Sequence, residues 1–166
     1  MCGILTLINK KGFDKKKYFE NLLDLMRSRG PDEKNIFFNE SKTVWMGHTR
    51  LRINDLSSKS IQPMKRGCLV LSFNGELYNF RELILRHNLS QKLSTSGDTE
   101  VLIRLIEKCG IIESLREIEG MFSISVYDSQ KNKIYFATDR RGEKPLYIND
   151  NDKDNIVVSS QINTIK

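Results

Sequence analysis

The stretch EGMFSISVYD (residues 119–128) decides the fold class. Phe122, Ile124 and Val126 alternate with Ser123, Ser125 and Tyr127, and a period of two belongs to a β-strand. Lys133 to Thr138 reads as its partner, joined across Ser129-Gln130-Lys131-Asn132 as a hairpin. Working outward, CGILTLI (2–8), NIFF (35–38), TVWMGHTRLRI (43–53), CLVLSF (68–73) and IVVSS (156–160) also read as strands. CLVLSF runs into Asn74-Gly75, a turn signal.

Helices are fewer. Phe19, Leu22, Leu23 and Met26 fall at i, i+3, i+4 and i+7, and Gly30-Pro31 predicts a stop at Arg29. A short helix is predicted from Phe80 to His87. A longer one starts at Asp98, keeps Leu102, Leu105, Ile106 and Cys109 in helical spacing, and ends at Gly110. About seven or eight strands and three helices result, with strands in runs or hairpins. That pattern predicts an α+β fold of antiparallel sheets with helices packed outside.

The chain has 166 residues, 39% of them hydrophobic and 29% charged, enough for one domain with a buried core. No apolar run is long enough to span a membrane, and CGILTLI lacks the flanks of a signal peptide. The expectation is a cytoplasmic protein that engages no membrane. The net charge is +6, concentrated in Lys10, Lys11 and Lys15 to Lys17. No nucleic-acid motif accompanies it, so the run reads as a solvated loop and helix start, and no nucleic-acid partner is expected. Neither a phosphate-binding loop nor a GxGxxG motif occurs. Cys2, Cys68 and Cys109 form neither a disulfide framework nor a zinc pattern, so no metal is expected, and Cys68 and Cys109 read as core thiols. A Cys–His pair could draw only on His48 or His87, the two histidines.

Four features carry chemistry. If Met1 is removed, which a small second residue favours, the Cys2 thiol sits beside its own α-amine. The ordinary values are about 8.5 and about 7.7–8.0, so the amine can take the thiol proton near neutral pH. Otherwise Cys2 is a small buried residue. Asn74 and Gly75 can supply a side-chain amide and a backbone N–H to an oxyanion, or form a plain Asn-Gly turn. Arg50, in a strand that is otherwise apolar, can grip a carboxylate in two places, or lie on the surface. Asp98 in SGDTE (96–100) can cap a helix or receive an ammonium. Together they suit an amino-acid amide such as glutamine.

MCGI (1–4), RSRGPD (27–32), GHTRL (47–51), FNGELYN (73–79), SGDTE, EGMFSISVYD and DRRGEKPLY (139–147) occur in this order. The set resembles the N-terminal glutaminase domain of glutamine-hydrolysing asparagine synthetases, which are class-II glutamine amidotransferases and N-terminal-nucleophile hydrolases. The likeness covers essentially all of residues 1–166 as one domain. It implies a four-layer αββα sandwich of two antiparallel sheets. It implies that Cys2 attacks glutamine, that its amine is the base, and that Asn74 and Gly75 hold the oxyanion of a γ-glutamyl thioester pathway. Arg50 would bind the substrate carboxylate, with Leu51, Ile53 and Asn54 lining the pocket, and Glu76 with Asp98 would receive the ammonium.

The SGGxDS loop of an ATP pyrophosphatase domain is absent. The implied partner besides L-glutamine is therefore a synthetase domain or subunit that takes the ammonia. ATP and magnesium are expected only there, so this domain needs no cofactor. A homodimer is compatible with this reading. Two alternatives stay open: a non-catalytic glutamine-binding or docking module, and ammonia supply to a sugar or peptide carboxylate.

Overall fold

The structure is a computed structural model that describes residues 1–12, 14–52 and 58–165. The described residues form nine strands and four α-helices. In chain order these are β1 (Gly3–Asn9), α1 (Lys16–Asp24), β2 (Glu33–Phe38), β3 (Val44–Arg50), β4 (Met64–Arg66), β5 (Leu69–Leu77) and α2 (Phe80–Arg86). There follow α3 (Asp98–Cys109), α4 (Ile111–Glu117), β6 (Gly120–Asp128), β7 (Lys133–Thr138), β8 (Tyr147–Asn149) and β9 (Asn155–Ser159).

The strands build two sheets, ordered β2-β3-β1-β9-β8 and β4-β5-β6-β7, and every pairing is antiparallel. Alternation along each strand assigns its two faces. In β6, Phe122, Ile124 and Val126 join Leu71, Phe73, Leu102, Ile103 and Leu105 in a core beneath α2, α3 and α4. Tyr127, from the other face of β6, packs with Val44, Met46 and Val70 between the sheets. There too the Thr6 and Ser125 hydroxyls meet at 2.8 Å. On the far side of the first sheet, Leu5, Leu7 and Trp45 pack against Phe19 and Leu23 of α1. The layers are thus helix, sheet, sheet and helices, the predicted αββα order. Fully burying one such Leu or Phe contributes roughly 1.5–3 kcal/mol.

Helix α3 is the best buried of the helices. Every residue from Asp98 to Ile106 is buried, including Glu100 and Arg104. Buried charge must be paired. Arg104 Nη2 donates to Glu100 Oε1 at 2.7 Å, and the same carboxylate accepts the Ser94 and Thr95 backbone N–H groups. This ties down the loop that leads into Asp98.

The structure corrects the sequence reading in five places. Asn74-Gly75 is not a turn: both residues lie inside β5, opposite Ser123 and Phe122. Pairing along all of β6 outweighs the local turn preference. Helix α1 ends at Asp24 rather than Arg29, because Met26, Arg27 and Arg29 donate to carbonyls only three residues back. Strand β3 stops at Arg50. Helix α4 follows at once where Gly110 read as a plain terminator, and Gly110 sits at φ 80 to make the corner. The short edge strands β4 and β8 have too few residues to show a period.

The lysine run reads as expected. Lys10 Nζ donates to the Lys153 carbonyl at 2.8 Å, and Lys11 pairs with Asp154 on the surface. Among the described residues, no helix is long and apolar enough to cross a membrane.

Candidate active site

Strand β1 begins one residue after Cys2, which delivers that side chain to the edge of the space between the sheets. Leu51, just past β3, holds the sulfur: its N–H donates to Cys2 Sγ at 3.5 Å, and its carbonyl lies 3.8 Å from Sγ. Arg29 Nε donates to the Cys2 carbonyl at 3.0 Å. Burial pushes the Cys2 thiol above its ordinary value, outweighing the Leu51 hydrogen bond and the nearby positive charges. The thiol therefore needs a base before it can act as a nucleophile.

Strand β5 supplies the facing wall. Phe122 spends both its backbone groups on Asp139, donating to Oδ2 at 3.1 Å and accepting from the Asp139 N–H at 2.8 Å. Its antiparallel partner Gly75 is thus at a non-hydrogen-bonded position, with its N–H turned to the other edge of β5. That edge is open here, because β4 covers only Leu69 to Leu71. Two side chains fill the neighbouring positions. Gln62 Oε1 accepts the Phe73 N–H at 2.6 Å, and Asp98 Oδ2 accepts the Leu77 N–H at 3.0 Å. The Gly75 N–H lies between them. Gly75 must be glycine, since a Cβ there would stand 2.1 Å from the Met121 carbonyl oxygen.

Asn74 is 2% exposed, and among the described residues its Nδ2 has no hydrogen-bond partner. A buried unpaired amide costs about 1–3 kcal/mol and calls for an acceptor from outside. Its strand is fixed at both backbone groups of the preceding residue, Phe73. Besides Gln62 on the Phe73 N–H, His48 Nε2 donates to the Phe73 carbonyl at 3.0 Å. Burial lowers His48 to about 4, so the ring is neutral at physiological pH. His48 is not among the residues lining the cavity described next, and His87 bonds instead to Glu117 and Cys109, outside that cavity.

Cys2, Arg50, Leu51, Asn74, Gly75, Glu76 and Asp98 line one cavity of ≈ 150 Å³. Ile53 and Asn54 lie outside the described residues. Burial raises the Asp98 carboxyl, and the charge of Glu76 adds to that rise. A cation seated between the two carboxylates would relieve both effects. Arg50 is 6% exposed, and its Nη1 meets Glu33 Oε2 at 2.8 Å. Arg52 reaches the other oxygen of the same carboxylate. Burial disfavours charge on Glu33, but the bonds from Arg52 and Arg50 prevail and hold its carboxyl below the usual range. The Arg50–Glu33 pair fixes the direction of the guanidinium.

Sequence reasoning missed Gln62, Glu33 and Lys144. Gln62 sits in an irregular segment with no motif. Glu33 faces Arg50 only through the β2–β3 register. Lys144 also lines the cavity, and its Nζ donates to Met1 Sδ at 3.4 Å.

The sequence pattern of the glutamine amidotransferase domain matches residues 1–166. The chain belongs to this family. Asparagine synthetase [glutamine-hydrolyzing] 2 of Bacillus subtilis (strain 168) is 33% identical over 172 residues, covering 99% of this chain and 22% of that protein. Asparagine synthetase B [glutamine-hydrolyzing] of Escherichia coli (strain K12) is 30% identical over 169 residues, covering 99% and 30%. Amidase chry2 of Gibberella zeae is 32% identical over 160 residues, covering 89% and 24%. The amidotransferase chain therefore spans less than a third of the length of each of these three relatives. In the amidotransferase chain as it stands, Met1 precedes Cys2 and lines the cavity, so the Cys2 nitrogen is a peptide amide.

Proposed function

We propose that this domain hydrolyses L-glutamine to L-glutamate and ammonia through a γ-glutamyl thioester on Cys2. The observation that carries the reading is Asn74 Nδ2, which has no hydrogen-bond partner among the described residues and is buried in the wall of the cavity that Cys2 also lines. Loss of Met1 frees the Cys2 amine. That amine takes the thiol proton as the sulfur attacks the side-chain carbonyl of glutamine. Asn74 Nδ2 and the Gly75 N–H receive the oxyanion, each donor contributing roughly 3–4 kcal/mol to transition-state stabilisation. The intermediate collapses to the thioester, and the amine returns its proton to the departing ammonia. Water then cleaves the thioester and regenerates the thiol. Arg50 meets the α-carboxylate of the substrate, with Leu51 beside it, and Glu76 with Asp98 meets the α-ammonium.

Free ammonia is protonated in water and loses its nucleophilicity, so the acceptor is activated close by, on a synthetase domain or subunit. The two asparagine synthetases among the relatives support an ATP-dependent amidation of that type. The test is turnover of glutamine by Met1-free protein in the presence of hydroxylamine, which intercepts a thioester. γ-Glutamyl hydroxamate from wild type, and none from Cys2→Ala, is the expected result. Glutamate without any hydroxamate would count against the thioester, and no turnover at all would favour a binding module.

A further inference from the structure

A second chemical cluster lies away from the cavity, where α2, α3 and α4 all end. His87 caps α2, Cys109 closes α3 and Glu117 closes α4. Donor atoms of the three lie within 4.8 Å of one another, and all three side chains are half-buried. Among the described residues it is the only such grouping of His, Cys, Asp and Glu. His87 Nε2 bonds to Glu117 Oε2 at 2.8 Å. With that proton on Nε2, the lone pair of Nδ1 points to Cys109, and Sγ lies 3.7 Å from it. In tetrahedral coordination with Zn–S of about 2.3 Å and Zn–N of about 2.0 Å, sulfur and nitrogen stand roughly 3.5 Å apart. The pair is already spaced for it. Glu117 occupies the place of the carboxylate that orients a metal-binding imidazole through its other nitrogen. The helix ends add to this, because the carbonyl end of a helix dipole favours a cation.

We propose that His87, Cys109 and Glu117 form a site for one zinc-class divalent ion. Cys109 Sγ and His87 Nδ1 are the ligands, Glu117 holds the imidazole, and water completes the coordination. The ion replaces the thiol proton of Cys109 and fastens the ends of three helices. Arg86 also reaches Glu117 Oε2, at 3.4 Å. Chain spacing hides the site, since Cys109 stands 22 residues after His87 and Glu117 a further helix beyond. The site is independent of the glutamine reading.

The test uses the chain stripped with chelator, in a Cys2→Ser background that removes the cavity thiol. Titration with zinc alone should saturate at one equivalent and raise the thermal midpoint. Cys109→Ser and His87→Gln should abolish this binding, and Glu117→Gln should weaken it about 10–100-fold. Cobalt in place of zinc should give a thiolate-to-metal charge-transfer band, which needs no further variant to read. Absence of saturable binding, binding unmoved by Cys109→Ser and His87→Gln, or a cobalt complex without the thiolate band would overturn the proposal and leave a hydrogen-bonded cluster only.

Discussion

His48 Nε2 donates to the carbonyl of Phe73 at 3.0 Å, one peptide before the unpartnered amide of Asn74. This bond crosses from one sheet to the other. It fixes β5 at the point where Asn74 faces the cavity. Gln62 completes the grip by accepting the N–H of the same residue. In Gln62→Ala the buried Phe73 N–H loses its acceptor, which should cost about 1–3 kcal/mol in stability. If Gln62 positions Asn74, kcat falls while KM for glutamine holds. Urea unfolding and steady-state kinetics read the two effects separately, and an unchanged kcat would leave Gln62 a structural residue only.

The burial of neutral His48 makes stability depend on pH. Its ordinary value is about 6.5 and its folded value about 4. Between these the unfolded chain binds a proton that the folded one refuses, so stability rises with pH. The His48 contribution is complete above about pH 6.5 and is lost as pH falls toward 4, a change of about 3 kcal/mol. His48→Gln should flatten that slope, measured by denaturant midpoints across the window. An unaltered slope would assign the acid sensitivity to other groups.

Asn74→Ala should lower kcat by about 10²–10³-fold with a smaller effect on KM, as expected for a donor used in the transition state. A change confined to KM would place Asn74 on the ground state of the substrate instead.

For Asp98, burial with the Glu76 charge raises the carboxyl above its ordinary value. Glutamine should bind the ionised form. KM should therefore rise as pH falls, beginning above the usual carboxylate range. Asp98→Asn should have a raised KM and lose this acid limb. N-acetylglutamine, which has no ammonium, should be a poor substrate of the wild type. Equal turnover of both compounds would remove Asp98 from ammonium recognition.

Gly75→Ala should damage fold and site together. The new Cβ would stand 2.1 Å from the Met121 carbonyl oxygen and 2.7 Å from Phe122 Cα, so β5 and β6 must separate. Overpacking of this kind costs about 1–3 kcal/mol, and the backbone N–H shifts with it. A variant with wild-type stability and kcat would contradict the assigned approach of the two strands.

Much of this was legible in the sequence because the informative signals are local. Period-two alternation in β6 and helical spacing in α3 mark the more apolar face of elements that are buried on both faces, and both elements lie at the positions read from the sequence. Cys2, Arg50, Asn74 and Asp98 stand out in the sequence because their side chains suit one amino-acid amide, and the structure brings them to one cavity. What escaped depends on partners far along the chain. Asn74-Gly75 reads as a turn until Ser123 and Phe122 pair with it. Glu33 is an ordinary surface acid until the β2–β3 register sets it against Arg50. Gln62 has no periodicity and no motif, only a place beside Phe73. The three-residue strands β4 and β8 depend wholly on the strand next to them.

Cys2 is the proposed nucleophile for glutamine. The most direct measurement is the intact mass of the protein after incubation with a diazo-ketone glutamine analogue that alkylates thiols. The predicted result is loss of Met1 and a single adduct, mapped to Cys2, suppressed by excess glutamine and absent in Cys2→Ala. Met1-free protein that takes no adduct, or takes it at Cys68 or Cys109, would contradict the account.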